Sequence, residues 1–276
     1  MFNKSKSSKE PETFGEFIRS LLMALFVMLS IQTVGYQIFN IPSGSMKPNL
    51  LIGDFLLVNK FTYGYTRYSI PFSPPLFEGR LFGSEPKRGD IVVFRAPHKN
   101  YGDNVVQRWM NSEDWVKRCV GLPGDRIQMR GGILFINGEE CPLKKLDPDY
   151  KDTLYIQYGP NGVQERILSY PGIAIDRYEQ TLPNGFKHIV IKEKSFGSAR
   201  LDNTPEMVVP AGHYFMMGDN RDGSDDSRNQ QALGFVPYDN LLGRAELIFF
   251  STERRWWEVI DWLPGIRYDR LFTFVH

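Results

Sequence analysis

The sequence predicts a mostly β fold, and three observations carry that prediction. Short runs of β-branched and aromatic residues recur along the body of the chain, punctuated by Gly, Pro and Asn-Gly turn signals. Helical periodicity is absent outside one N-terminal apolar stretch. Between about residues 142 and 205 the composition turns polar and rich in Tyr, Asp and Lys, which marks an inserted lobe. The expected architecture is a β core over 40–141 and 206–276, a smaller β-rich lobe over 142–205, and one N-terminal transmembrane helix.

Residues 1–19 are the N-terminal segment, polar to about residue 13 and expected to be mobile. Residues 20–39 carry no charge, with Leu21 to Ile31 as a core that is apolar but for Ser30. About twenty residues at 1.5 Å rise cover a bilayer interior of roughly 30 Å. A cleaved signal peptide would need a small-x-small site, and Gln37-Ile38-Phe39 stands where it would fall. A buried globular helix would need a polar face, which Leu21–Leu29 lacks. Lys4, Lys6, Lys9 and Arg19 before the stretch outweigh Lys47 and Lys60 after it, which points the N-terminus to the cytoplasm.

Asp54 to Phe61 reads as the first strand, and 64–85 as a loop rich in proline and glycine. Ile91–Phe94 follows the Arg88-Gly89-Asp90 turn. Trp115–Val120 and Arg126–Met129 are strands separated by Gly121–Asp125. Gly131-Gly132 turns into Ile133–Ile136, and Asn137-Gly138 marks another tight turn. Pro160-Asn161-Gly162 and Pro183-Asn184-Gly185 are hairpin signals within the lobe. Core strands resume at His213–Met217 and Gly243–Ser251.

At 276 residues the chain has ample length for a buried core. Its net charge of +1 argues against a nucleic-acid partner. Two cysteines, Cys119 and Cys141, exclude a disulfide scaffold and a CxxC zinc site. His98, His188, His213 and His276 lack metal-ligand spacing, and 218–228 fits no calcium-loop register, so no metal or other cofactor is expected. Aromatics reach 14%, with Trp256, Trp257 and Trp262 clustered late, suited equally to a membrane interface or to core packing.

Ser45 lies just beyond the apolar stretch, in Ile41-Pro42-Ser43-Gly44-Ser45-Met46. It lacks the flanking glycines of a hydrolase elbow, and Gly44 stands three before Lys47 where an S-x-x-K pattern needs serine. A serine-lysine pair survives. The amine must be neutral to take a proton, and burial favours the neutral form. Lys117 is flanked by Trp115, Val116 and Val120 on a predicted strand, with Trp115 on its own face by alternation. Lys47, Lys60 and Lys87 sit beside prolines or turns and are expected in water.

Five ordered segments then carry a resemblance: Pro42–Pro48, Gly53-Asp54, Lys87–Phe94, Lys117-Arg118 with Gly121–Asp125, and Gly218–Arg228. In these the chain closely resembles the bacterial type I signal peptidases, membrane-bound serine endopeptidases that remove signal peptides from exported preproteins. The resemblance implies a coiled antiparallel β-sheet core, with Ser45 as nucleophile and Lys117 as general base. It implies an oxyanion hole from the Ser43 hydroxyl and the Ser45 N–H, and Ser224 orienting the lysine. Asp226, Arg228 and Arg118 would form a supporting ion-pair cluster, and Gly218 would allow close backbone approach. Phe39, Ile41, Met46, Leu50, Asp114, Trp115 and Val116 would line a pocket that admits small residues at −1 and −3 of an extended peptide. Secretory preproteins and the lipid bilayer are the implied partners, at the bacterial inner membrane, single-pass, with the catalytic domain on the periplasmic side. A specialised maturation peptidase and a silent anchored peptide-binding protein are the alternative readings. Cys119 stands where the family usually has a small apolar residue, and a structural role is expected for it. Gly223 replaces a commonly seen Asn, which should loosen its loop.

Overall fold

The computed structural model describes residues 13–70, 73–74, 76–97, 113–146, 155–156, 166–167, 175–253 and 265–275. The chain begins with helix α1 (Phe14–Val34) and passes directly into strand β1 (Tyr36–Asn40). Then follow β2 (Asp54–Asn59), β3 (Ile91–Arg95), β4 (Asp114–Gly121), β5 (Arg126–Arg130), β6 (Ile133–Ile136), β7 (Glu139–Glu140) and β8 (Leu143–Lys145). A short pair, β9 (Tyr155–Ile156) and β10 (Arg166–Ile167), precedes β11 (Asp176–Thr181) and β12 (Lys187–Lys192). The chain continues with β13 (Met207–Val208), β14 (His213–Met217), β15 (Val236–Pro237), β16 (Leu241–Ser251) and β17 (Thr273–Phe274).

The expected span over 20–39 is corrected at its C-terminal end. Gly35 ends the helix, and Tyr36–Asn40 pairs antiparallel with residues 55–59 of β2 instead of continuing it. Among the described residues no helix is long and apolar enough to cross a membrane. The apolar side chains of Phe14, Phe17, Leu21, Leu22, Met23, Leu25 and Val27 lie open to solvent. The Trp256–Trp262 cluster and the Pro160–Gly162 turn fall outside the described residues.

The principal sheet has eight strands in the order β1-β2-β16-β3-β4-β14-β15, with β17 paired to β16, and its pairings are antiparallel. Its strand β3 is covered on both sides. Ile91 and Val93 of β3 face one core with Ile41, Met46, Leu50, Leu56 and Ile248, while Val92 and Phe94 face another with Cys119, Tyr214 and Met216. Such double burial explains why β3 reads as a continuous apolar run rather than an alternating one. Strand β16 curls the sheet. It pairs with β3 over Leu241–Arg244 and with β2 over Arg244–Ser251, with irregularities in both ladders. A four-stranded sheet, β13-β5-β6-β7, packs on a third cluster containing Val120, Ile127, Leu134, Phe215 and Met217. Asn137 and Gly138, at φ 56° and 86°, close its two-residue hairpin as a primed turn demands.

The loop between β1 and β2 is held as tightly as a strand. Ile41 N–H donates to Asp54 O and Gly53 N–H to Ile41 O. Beneath it the fully buried Asp54 accepts hydrogen bonds from Leu51 N–H, Ser251 Oγ, Arg267 and Arg270. Arg270 also reaches Asn49 O, so the C-terminal segment clamps the loop from below. Removing one partner of such a group strands the others without water. Asp54→Ala should therefore cost about 3–5 kcal/mol in unfolding free energy, measured by denaturant titration. A loss under about 1 kcal/mol would show that the two arginines find other acceptors.

Candidate active site

Ser45 sits in the β1–β2 loop and Lys117 at the middle of β4. Their approach follows from sheet order. β4 is joined to the β1–β2 pair through β3 and β16, and the curl of that sheet brings the loop over the β4 face. Lys117 Nζ donates to Ser45 Oγ at 2.7 Å. Both residues are buried, with Lys117 only 4% exposed. The Trp115 ring lies over the amine, its centroid 5.4 Å from Nζ, as two-residue alternation along the strand requires. Ser43 Oγ is 3.3 Å from Ser45 Oγ, at the more open side of the same turn.

Burial pulls the Lys117 amine down to about 8, against the opposing pull of Asp226, Asp219 and Asp225 and with help from Arg228. Asp226 is the critical neighbour. Burial alone would push its carboxyl up, but Arg228 and the Gly218 N–H hold it below the ordinary carboxylate range. Arg228 donates to both Asp226 oxygens at 2.8 Å, and Gly218 N–H to one at 3.0 Å. Both oxygens are thereby committed away from the lysine. Lys60 shows why a low pKa does not by itself identify a base. Burial brings it to about 8 as well, yet its amine donates to Ser69 O at 3.0 Å.

Lys47 and Lys60, expected in water, are both buried, whereas Lys87 is exposed as expected. The Lys47 stem packs beside Gly44, close enough that a Cβ there would meet its Cε at 3.2 Å. Lysine stems bury readily along apolar surface, which a turn-based reading overlooks.

The supporting cluster divides in two. Arg228 pairs with Asp226, whereas Arg118 donates to both oxygens of Asp219, at 2.9 and 2.8 Å, and to Gly89 O. Asp219 also accepts from Asn49 Nδ2 at 2.7 Å, and Asn49 donates again to Ile189 O. Asp219 thus links the strand that carries Lys117 to the loop that carries Ser45. Sequence reading left Asp219, Asn49 and Asn220 without a role. One signal was present: two arginines were assigned to the cluster against a single carboxylate, so a second buried acid was owed. Asn220 N–H donates to Ser45 O at 3.1 Å, and its side chain accepts from Gly223 N–H. Ser224 Oγ donates to Asp225 O at 3.4 Å, and among the described contacts Lys117 Nζ has its hydrogen bond to Ser45 instead.

Beside these groups opens a cleft of about 530 Å³. Phe39, Ile41, Ser43, Ser45, Met46, Asp114, Trp115, Val116 and Lys117 line it. Leu50 stands apart, fully buried in the core. The cleft also takes in Asn40, Pro42, Glu113, Gly223 and Asp225, none of which was expected. At Gly223 a side chain would meet the Asn220 amide, with Nδ2 at 2.5 Å. Asp114 is neutralised by Arg95 at 2.6 Å. Cys119 and Cys141 are free, buried thiols; burial pushes Cys119 upward and Cys141 up to about 11, so both behave as small apolar fillers. Among the described residues no cluster of His, Cys, Asp or Glu could hold a metal ion.

A sequence profile described as signal peptidase, peptidase S26, matches residues 14–250. The chain belongs to that peptidase family. Signal peptidase I of Rickettsia massiliae is 36% identical over 98% of this chain and 94% of its own. That of Rickettsia typhi is 35% identical, covering 96% of each chain. A solved signal peptidase I from Enterococcus faecalis is 25% identical over 58% of this chain and 97% of that one, with a TM-score of 0.28. Membership makes the chain a serine endopeptidase, and the family's catalytic set is to be sought in the cleft just described.

The tightest approach in the site is at Gly218. A Cβ there would lie 2.2 Å from Ser224 Oγ and 2.6 Å from Ser45 O. Gly218→Ala should displace the Ser45 backbone and lower turnover on the order of 100-fold in a folded protein. Turnover within about 2-fold of wild type would mean that the loop yields without cost.

Proposed function

We propose that this enzyme removes signal peptides from exported preproteins, cutting after small residues at −1 and −3, with Ser45 as nucleophile and Lys117 as general base. One observation carries the reading: a buried lysine amine lies 2.7 Å from a serine hydroxyl at the floor of a peptide-sized cleft. The neutral amine takes the Ser45 proton as Oγ attacks the scissile carbonyl. The resulting ammonium returns that proton to the leaving amine, and an acyl-enzyme remains on Ser45. Water, deprotonated by the same lysine, then releases the acid. Ser43 Oγ and the Ser45 N–H stand on the nucleophile's turn as donors for the oxyanion, each worth about 3–4 kcal/mol in such sites. Phe39, Ile41, Met46, Trp115 and Val116 present bulky walls that leave room for alanine-sized side chains. An extended peptide beside β4 would place alternate residues against them.

The reading includes attachment to a bacterial inner membrane. Eight large apolar side chains exposed along α1 are costly in water and support burial in lipid. The basic residues ahead of the helix support a cytoplasmic N-terminus and a periplasmic cleft.

Ser45→Ala and Lys117→Met should each lower preprotein cleavage by about 10³-fold or more while the fold is retained. Cleavage by a folded Ser45→Ala protein at the wild-type rate would remove the proposal. The pH dependence has a definite sign. The active amine is the deprotonated form, so kcat/KM should rise tenfold per pH unit and level off near pH 8, where Lys117 titrates. A plateau already reached by pH 6 would point to a different base. Carbonate extraction of bacterial membranes should leave the full chain in the pellet and release a chain lacking residues 1–35. Release of the full chain would refute the attachment.

A further inference from the structure

Lys192, the last residue of β12, is a buried ammonium outside the proposed catalytic pair. Its amine donates to Asp202 at 2.8 and 2.9 Å and to Asp222 at 2.8 Å. Asp222 belongs to the loop after β14, the loop that carries Gly218, Ser224, Asp226 and Arg228. The second oxygen of Asp222 accepts the N–H groups of Glu193 and Lys194 at 2.9 and 2.7 Å. This end of β12 also runs along the loop as a docking edge. Ile191 N–H donates to Asp219 O and Arg221 N–H to Ile191 O, both at 3.0 Å. Asn220 Nδ2 donates to Glu193 Oε1 at 3.1 Å, while Asn220 N–H holds Ser45 O. Arg221 reaches Gln180 of β11 at 2.6 Å.

The electrostatics continue inward from this seam. One ammonium between two buried carboxylates leaves a formal negative charge. Asp222 and Asp202 join Asp226 in raising the Arg228 guanidinium against the opposing effect of burial. Arg228 in turn occupies both oxygens of Asp226, the carboxylate nearest in effect to Lys117.

We propose that the β11–β12 hairpin is a positioning element for the general base, with Lys192 as its anchor. Lys192 holds Asp222, Asp222 fixes the 218–228 loop on β12, and the fixed loop keeps the Arg228–Asp226 pair closed and water away from the Lys117 amine. Lys192 touches no reacting atom. The inference rests on the Ser45–Lys117 reading above.

The test is preprotein cleavage as a function of pH by full-length wild type, Lys192→Met, Lys192→Arg and Asp222→Asn, each checked for folding by thermal melting. Lys192→Met should lower kcat on the order of 10- to 100-fold with KM altered less than about 3-fold. Its acid limb should also move to higher pH, because a loosened loop admits water and frees Asp226, and both raise the amine pKa. Lys192→Arg, which restores the charge, should recover most of the rate and the wild-type midpoint. Asp222→Asn keeps an acceptor for Glu193 and Lys194, so it should fold and move the limb in the same direction by less. A wild-type pH midpoint in both Lys192→Met and Asp222→Asn would overturn the inference. So would an unchanged kcat in folded Lys192→Met, or an arginine variant no better than methionine. Should Lys192→Met not fold, the Asp222→Asn midpoint decides alone. Wild type that cleaves nothing, or a Ser45→Ala variant that still cleaves, would sink the underlying reading; normal controls with unmoved variants would sink the positioning role alone.

Discussion

Under the Ser45–Lys117 reading, the site depends on making an amine easier to discharge beside carboxylates that hold its proton. A lysine with its ordinary pKa near 10.4 is neutral about once in 2,500 molecules at pH 7. At about 8 the neutral share is nearly one in ten, a gain on the order of 200-fold in competent base. Burial supplies that gain, and Asp226 threatens it. The remedy is geometric: Arg228 forks onto both carboxylate oxygens and Gly218 N–H adds a third donor. An arginine suits the task because its planar fork saturates the acid in a fixed direction.

The same device recurs one turn away. Asp219 is held by two nitrogens of Arg118 and by Asn49. Buried ion pairs contribute little net stability, because desolvation offsets most of the attraction. Their effect here is directional. Arg118 neighbours Lys117 on β4 and Asn49 follows Ser45 on its loop, so one carboxylate sets the spacing between Lys117 and Ser45. Asn220 adds a backbone link from the same loop to Ser45 O. Under that reading the two arginine–carboxylate pairs divide the work: one limits the pull of Asp226 on the Lys117 amine and the other keeps that amine in reach of Ser45. On the same reading, a change at Asp219 would be felt as lost alignment, one at Asp226 or Arg228 as a lost proton-acceptor state.

Local signals were legible where physics is local. The runs at Ile91–Phe94 and His213–Met217 read as strands because double burial leaves an apolar signature, and Ile133–Ile136 because its half-buried face is apolar as well. Asn137-Gly138 announced its turn because few other residue pairs accept two positive φ values. Lys117 stood out through its apolar neighbours. What escaped was set by distant partners. Tyr36–Asn40 continued an uncharged stretch and read as helix, since only its pairing with β2 makes it a strand. The placement of β16 between β2 and β3 has no local marker, and that placement brings loop and base together. Asp219 sat unassigned in an acidic run because an ion pair between residues 118 and 219 is invisible along the chain. Lys60 looked solvated beside its turn, although a carbonyl from Ser69 makes its burial tolerable.

The β1 correction bears on how the cleft meets its surroundings. A single bend at Gly35 joins α1 to β1, with no linker to absorb relative motion. β1 ends one residue before Ile41, and Phe39 and Ile41 form one wall of the cleft. Five strand residues at about 3.3 Å each place that wall within roughly 20 Å of the helix end. All of β1 is zipped to β2, which ties the wall and the Ser45 loop to the sheet directly after the helix ends. Under the membrane-attached reading, the surface that holds α1 thereby sets the height of Ser45 above it. A peptide still anchored by its own apolar segment would then present only the bonds within that short reach. Selection of the cut would be shared between this fixed height and the small-residue pockets, each discarding sites that the other would accept.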